Sequence, residues 1–406
     1  MPTVTRRSLL LALTALPLAA ACSPAAQSTA PTSAPATAAP KPTDAAPKPA
    51  ATTAPVVVAS PAAAPAAPTA AASPAAAAAP KPSGATVTLP KPEKTSIKMG
   101  FSALEAIMAG YFLAEANGLF KKYGIDQIEL LFNDGDAKTM QSLISGGTDA
   151  TAQGSSVAIS SLLTDAPIVM VAMSTDKITD DFTSIASVKT AADLKGKKVA
   201  ISNFGSTSHA SVLLALRGLG LTANDVTITG VGGEAARLAA LQSGTVAAAP
   251  VEIFRRPELK QRGYNVLISV AESPGLEFPR NGLNFVKEFA DKNPNTVLAM
   301  TAAALEGMQL LYTDAGKQKA IDLFAQRAQL TDRTEAAARV DSLQPYLRRD
   351  MSWTKGAFDF AKELLVTQTP ALKDVDASKA YSYQYLDKLA ELGFQDAVGA
   401  PRPRKG

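Results

Sequence analysis

The chain has 406 residues, among them 40 Lys or Arg, 36 Asp or Glu, one His and one Cys. A zinc site, a disulfide framework, an iron–sulfur cluster or a His-paired nucleophile needs more Cys or His than this. The formal charge of +4 is uneven, because residues 1–22, 23–94 and 401–406 are basic and residues 95–400 sum to −4. A mildly acidic folded region argues against a nucleic-acid partner.

Residues 1–22 predict an export signal, since Arg6 and Arg7 precede an apolar stretch at 9–18 and small residues at 19–21. The apolar stretch is shorter than the roughly 20 residues that cross a bilayer. The lone Cys22 follows a segment that resembles a bacterial lipobox, which predicts lipidation and an extracytoplasmic, membrane-anchored protein. An ordinary signal peptide with an incidental Cys is the alternative. The basic pair leaves both the general and the twin-arginine export routes open.

Residues 23–94 contain 27 Ala and 16 Pro and lack aromatic residues. Proline fixes backbone angles and removes hydrogen-bond donors, and a segment of this composition cannot bury a core. We therefore predict a disordered, semi-extended linker. A glycosylated stalk has the same composition and remains an alternative.

The remaining chain predicts an α/β fold with parallel-rich sheets flanked by helices. In the first round of alternation we expect strands at 97–101, 128–132 and 167–173, with helices at 103–117, 137–145 and 155–164, and a further short strand just before the last of these helices. In the second we expect strands at 198–202, 226–231, 246–251 and 265–270, with helices at 206–218, 234–242 and 252–262. Beyond residue 280 the pattern predicts helices almost throughout.

Small hydroxyl residues and glycines follow several of the predicted strands, at 101–102, 153–156, 203–208 and 232–234. Ligands of open parallel sheets lie beyond the carboxyl ends of the strands, where helix N-termini expose amides. Ser or Thr at such a position is usually a helix cap. The repetition at several strand ends predicts a polar ligand-binding cleft.

Four segments in order resemble one family of proteins. They are GYFLAEANGLFKKYGI (110–125), SLISGGTDA (142–150), DLKGKKVA (193–200) and GGEAARLAALQSG (232–244). They are similar to landmarks of the ABC-transporter substrate-binding proteins of the nitrate, sulfonate, taurine and thiamine-pyrimidine type, and they cover roughly residues 97–291. The resemblance is specific to the family and not to its ligand.

The resemblance implies a two-lobed periplasmic-binding-protein-like fold (type II) that closes on a small sulfonate-, nitrate- or pyrimidine-like solute and delivers it to a membrane permease. One lobe would comprise 95–188 plus a helical tail at 281–400, the other 189–280, with a basic tail at 401–406. The implied protein is a monomer and not an enzyme, with no catalytic residue, metal or cofactor.

The resemblance also implies positions for the ligand-binding residues. The acidic members, Glu234 and Glu252, have an alternative role as favourable charges at helix N-termini. If either lines the cleft, a purely anionic ligand is disfavoured. The expected ligand-binding residues are Phe101, Ser102, Gln153, Ser155, Ser156, Asn203, Gly205, Ser206, Thr207, Glu234 and Glu252.

Two further side chains invite a functional role but favour a structural one. We expect His209 to be a surface or rim residue and Trp353 to be a packing residue. A pyrimidine-synthase-like enzyme is a competing class, but its chemistry requires a His and further iron ligands that this chain lacks. A ligand-sensing surface lipoprotein without a permease is a third reading.

Overall fold

The computed structural model describes residues 81–133 and 135–404, which contain two five-stranded sheets flanked by helices. The predicted export signal, Cys22 and the linker up to residue 80 lie outside the described residues. The predicted α/β class with two sheets is confirmed.

The first sheet has the strand order β2-β1-β3-β10-β4. β1 is parallel to β2 and β3, whereas β10 is antiparallel to both of its neighbours. β4 is the last strand of this order and yet is buried along its whole length, because the segments at Met351 and Ser382 hydrogen-bond to its outer edge. The strands are β1 (Ser96–Phe101), β2 (Gln127–Phe132), β3 (Ala150–Gln153), β4 (Ile168–Thr175) and β10 (Asn281–Val286).

The second sheet has the order β7-β6-β8-β5-β9. β6 is parallel to β7 and β8, and β5 is the antiparallel member, pairing with β8 and β9. The two sheets therefore share one plan, with a single antiparallel strand next to last in the order. The strands are β5 (Asp180–Ser184), β6 (Lys198–Ile201), β7 (Thr227–Gly230), β8 (Ala248–Glu252) and β9 (Asn265–Ser269).

Helices flank both sheets and form most of the chain after β10. Those before it are α1 (Ala109–Ala116), α2 (Leu119–Lys122), α3 (Asp136–Ile144), α4 (Ser156–Ser161), α5 (Ala191–Leu194), α6 (Thr207–Gly218), α7 (Glu234–Gln242) and α8 (Arg256–Gln261). Those after it are α9 (Lys287–Lys292), α10 (Pro294–Leu310), α11 (Asp314–Arg327), α12 (Arg333–Leu343), α13 (Lys355–Gln368), α14 (Gln384–Glu391) and α15 (Phe394–Val398).

Two strands, β5 and β10, were not predicted from the sequence, because they contain polar residues that are buried in the fold. Asp180 and Asp181 in β5, and Asn281 and Asn284 in β10, are each at most 6% exposed. Such residues do not produce the apolar run by which a buried strand is recognised. The expectation that the chain is almost wholly helical beyond residue 280 was wrong at β10.

The chain passes between the sheets twice, through residues 176–179 and 270–280. The expected boundary after residue 188 places β5 with the first sheet, whereas β5 pairs only within the second. Lys177 in the first crossing donates to the carbonyl of Ser273 (3.1 Å) and the carboxylate of Glu277 (3.0 Å) in the second. The two crossings are thus tied side by side.

The ends of the described chain lie against the fold. Residues 81–94 were expected to be linker, yet Val87 and Leu89 pack on the core. The Glu93 carboxylate accepts from the amides of Asn295 and Thr296 (3.1 and 2.8 Å). A carboxylate at the start of α10 satisfies amides that the helix leaves free. We therefore place the start of the folded region before residue 95.

The segment 401–404 of the expected basic tail is also in contact with the fold. The guanidinium of Arg402 donates to Asp396 at 2.7 Å, and the amide of Arg404 donates to Asp350 at 3.3 Å. Trp353 is fully buried and stacks on Tyr383 with ring centroids 3.9 Å apart. It is the packing residue that the sequence analysis expected.

Helix α10 crosses α1 at a contact that only glycine permits. A Cβ on Gly307 would lie 2.3 Å from the carbonyl oxygen of Gly110 and 2.8 Å from the Cβ of Ala114. We expect Gly307→Ala to lower the free energy of unfolding by about 1–3 kcal/mol, since overpacking a tight contact forces the backbone apart. Urea denaturation measures the change.

The matched control is Gly356→Ala in α13, where an added Cβ meets no atom within 4 Å. Because Ala has the higher helix propensity, this variant should be neutral or stabilised by a few tenths of a kcal/mol up to about 1 kcal/mol. Equal effects of the two substitutions would contradict the proposed packing at Gly307.

Candidate functional site

A small cavity lies where the two sheets face each other. Its wall includes residues that follow β1, residues of both crossings, the end of β8 and one face of α12. Its volume is about 20 Å³, which accommodates about one water molecule. The lining residues are Glu105, Ala106, Thr179, Glu252, Ile253, Phe254, Arg280, Arg339, Ser342 and Leu343.

Arg280 joins the second crossing to the first and to the first sheet. Its guanidinium donates to the carboxylate of Glu105 at 2.6 Å and to the hydroxyl of Thr179 at 2.7 Å. Its side chain is only 11% exposed. Charge-assisted hydrogen bonds of this length are among the stronger ones in proteins, so this arginine fixes the position of Glu105 at the cavity.

Helix α12 closes the opposite wall. The guanidinium of Arg339 makes two hydrogen bonds to Glu335, of 3.1 and 2.7 Å, and lies 4.5 Å from the ring centroid of Phe254. Its Nη1 is 3.6 Å from Oε2 of Glu252, beyond the usual range of a hydrogen bond. Through Arg339, α12 therefore contacts the segment at 252–254 of the second sheet by an ionic interaction with Glu252 and a cation–π interaction with Phe254.

The electrostatic environment opposes a negative charge on Glu252. Burial, together with the neighbouring carboxylates of Glu234 and Glu105, raises the pKa of Glu252 to about 8, although Arg339 and Arg280 act in the opposite direction. At neutral pH this carboxyl group therefore retains its proton for much of the time.

A second buried acid lies at the start of β5. Burial raises the pKa of Asp180, while the positive charges of Arg280 and Arg237 partly counteract that increase. Asp180 pairs with Glu252 in the ladder between β5 and β8, so two acidic residues are neighbours at one edge of the second sheet.

The residues expected at the ligand site fall into three places. Of the eleven, Glu252 alone is among the residues that line the cavity. Phe101 is 3% exposed and packs on Phe112 and Phe132, so it belongs to the core. Glu234 is engaged with Arg255 at 3.1 Å.

The expected residues at and after the ends of β1 and β3 lie in the first sheet's part of the fold, and their side chains are largely buried. Gln153 and Ser155 are fully buried. The side-chain Nε2 of Gln153 donates to the hydroxyl of Thr151 at 3.1 Å. The Ser155 hydroxyl has no hydrogen-bond partner among the described residues. Ser102 and Ser156 are half-buried.

The expected residues before α6 form a helix cap. Ser206 is the N-cap and accepts from the amide of His209 at 3.2 Å, while Thr207 is the first helical residue and is half-buried. Asn203 and Gly205 are exposed. None of the four is among the residues that line the cavity.

His209 is buried, 6% exposed, rather than the surface or rim residue that we expected. Its Nδ1 accepts from the amide of Gly205 at 3.2 Å, and its ring contacts Phe204, which is 62% exposed. Burial lowers the pKa of His209. Packing under the exposed Phe204 accounts for its enclosure.

Nine of the ten lining residues were not expected at the site, and two of them border strands that the sequence did not reveal. Thr179 and Arg280 immediately precede β5 and β10, the two unrecognised strands. Arg339 lies in the helical region that was not aligned with any ligand segment. Glu105, shortly after the predicted strand at 97–101, was an available signal, whereas Arg280 is ten residues beyond the nearest predicted strand.

Two properties of residues 81–133 and 135–404 bear on the class of site. No group of three or more His, Cys, Asp or Glu there could hold a metal ion. No helix in that part of the chain has the length and apolar character needed to cross a membrane.

A family model described as NMT1/THI5 like matches residues 106–316, and no curated protein matches the chain. Among solved structures, the Escherichia coli periplasmic aliphatic sulphonate binding protein SsuA is 24% identical, with 71% of this chain and 92% of that chain covered and a TM-score of 0.59.

The periplasmic nitrate-binding protein NrtA of Synechocystis PCC 6803 is 14% identical, with 78% and 93% covered and a TM-score of 0.57. The desulfurization enzyme DszB is 15% identical, with 73% and 99% covered and a TM-score of 0.51. These likenesses show the periplasmic-binding-protein fold.

We expect Glu252→Gln to change how stability depends on pH. A carboxyl group whose pKa is raised from its ordinary 4.5 to about 8 holds its proton in the folded state after the unfolded chain has released it. The free energy of unfolding of the native chain, relative to the variant, should therefore fall as pH rises from about 5 to 8, by up to about 1.4 kcal/mol per pH unit.

Urea denaturation at pH 5.5, 6.5 and 7.5 measures this difference. The control is the same substitution at the exposed Glu258 of α8, which should leave the pH profile parallel to that of the native chain. A parallel profile for Glu252→Gln would contradict the raised pKa.

Proposed function

The chain belongs to the NMT1/THI5-like family, and from that premise we propose that it is the extracytoplasmic solute-binding protein of an ABC-type importer. It binds a small solute between two lobes built on the two sheets and delivers it to a permease. The supporting observation is the cavity lined by both sheets' segments, both crossings and α12.

The size of the cavity supports a mechanism of opening and closing. A volume of about 20 Å³ cannot hold a solute larger than water, so the lobes must separate to admit one. A solute that contacts both walls stabilises the closed arrangement in preference to the open one and shifts the population towards it. Closure of this kind is a recognised hinge motion of binding proteins around a ligand.

We favour binding over catalysis. The single His of the chain is His209, and it is not among the residues that line the cavity. The charged groups there are arginines and glutamates paired with one another, an arrangement that positions a ligand without a nucleophile and base in contact.

A lipid anchor at Cys22 is part of this proposal. An anchored protein with an Ala- and Pro-rich tether remains within reach of a permease in the same membrane. Labelled palmitate that enters the native protein but not Cys22→Ser tests the anchor, and equal labelling would exclude Cys22 as its site.

Thermal unfolding in the presence of a solute panel tests the function itself. The panel contains nitrate, aliphatic sulfonates, pyrimidines, amino acids and amines. A ligand at 100 times its dissociation constant adds about 2.7 kcal/mol to the free energy of unfolding, which raises the melting temperature by a few degrees for a protein of this size.

We expect one chemical class of the panel to raise the melting temperature in a concentration-dependent manner. A variant that fills the cavity with a bulky side chain, Ser342→Trp, should lose the response, whereas Lys121→Trp on the exposed surface of α2 should retain it. No response to any member of the panel would count against solute binding.

A further inference from the structure

The charged side chains that line the cavity differ in whether they have close hydrogen-bond partners. Arg280 has hydrogen bonds to Glu105 and Thr179 of 2.6 and 2.7 Å, and Arg339 has two to Glu335. Each guanidinium is already committed to a carboxylate. An incoming anion would have to displace one of these pairs.

Glu252 is the opposite case. Its ion-pair partner among the described residues is Arg339, whose Nη1 is 3.6 Å away, and Arg339 makes its shorter bonds to Glu335. The side chain of Glu252 is 27% exposed and lines the cavity. The acceptor in this wall that lacks a close donor is thus a carboxylate.

The surroundings of Glu252 favour added positive charge. The carboxylates of Glu105 and Glu234 both act on it unfavourably, so a second negative group placed beside it would be repelled by three carboxylates. A positive group would relieve that repulsion.

We propose that the solute of this cleft presents a positively charged, hydrogen-bond-donating nitrogen, such as an amine or guanidine, to the carboxylate of Glu252, and that simple anions are excluded. The inference rests on the proposed solute-binding function and narrows its substrate class. It departs from the sulfonate- or nitrate-like solute that the family resemblance implies.

Isothermal titration calorimetry on the full-length protein tests this assignment with matched probes. The cationic probes are propylamine, putrescine and agmatine, and the anionic probes are nitrate, propanesulfonate and propionate. We expect at least one cationic probe to bind, each anionic probe to bind at least about tenfold more weakly, and Glu252→Gln to weaken the cation by about tenfold or more. Glu258→Gln, the same change on the exposed surface of α8, should leave the affinity unchanged.

The dependence on pH gives a second readout that does not rely on the variant folding normally. The groups that act on Glu252 include Glu105, Glu234, Arg280 and Arg339, and Asp180 is its neighbour in the ladder between β5 and β8. Because a cation binds the ionised carboxylate, affinity should rise by up to tenfold per pH unit towards pH 8 and then level off. Glu252→Gln should remove this rise.

The outcomes separate the two proposals. Binding of an anionic probe that Glu252→Gln leaves unchanged or strengthens would overturn the cationic assignment and leave solute binding intact. The cationic assignment would also be overturned if a cationic probe bound the native protein and Glu252→Gln with equal affinity. Absence of binding by every probe here and every solute of the thermal panel would contradict both.

Discussion

The two crossings between the sheets constrain everything else in this fold. The first contains four residues, 176–179, and four residues span at most about 14 Å. The end of β4 and the start of β5 must therefore lie close together. Because β5 begins at this edge and is antiparallel to β8, the carboxyl end of β8 lies at the same edge and meets that of β4. The return from β9 to β10 repeats the geometry, and the cavity lies between the facing edges.

Charge pairs hold these edges together in the arrangement described here. Arg280 connects a crossing to Glu105, while Arg339 brings α12 towards Glu252 and Phe254. Partly buried ion pairs contribute little net stability because burial costs hydration. Such contacts suit two lobes that must both close and open, because water can replace these ion pairs with only a small change in free energy. A solute that satisfies Glu252 would shift that balance towards closure.

Most of the parallel strands and their helices could be predicted from the sequence, because strands such as β1, β2 and β6 are rich in apolar residues. The strands β5 and β10 could not, because their aspartates and asparagines are buried by tertiary contacts that no local pattern encodes. The site residues on predicted strands could likewise be identified, and those beside the unpredicted strands could not. Glu252 ends a recognisable strand, whereas Arg280 and Thr179 depend on the hidden strands, and Arg339 reaches the cavity only through the packing of α12. Hydroxyl residues at strand ends, used as ligand signals, include Ser206 as a helix cap and Ser155 as a buried residue.

We propose that the two sheets move together on a solute, and a distance from one sheet's segment to the other's provides the sharpest test. Spin labels at the exposed positions Phe132 and Phe204, introduced by Phe132→Cys and Phe204→Cys in a Cys22→Ser background, report that distance by pulsed electron resonance. We expect a broad distribution of distances without solute that narrows to the short distances when a solute that raises the melting temperature is added. A single narrow distance, unchanged by such a solute, would contradict closure.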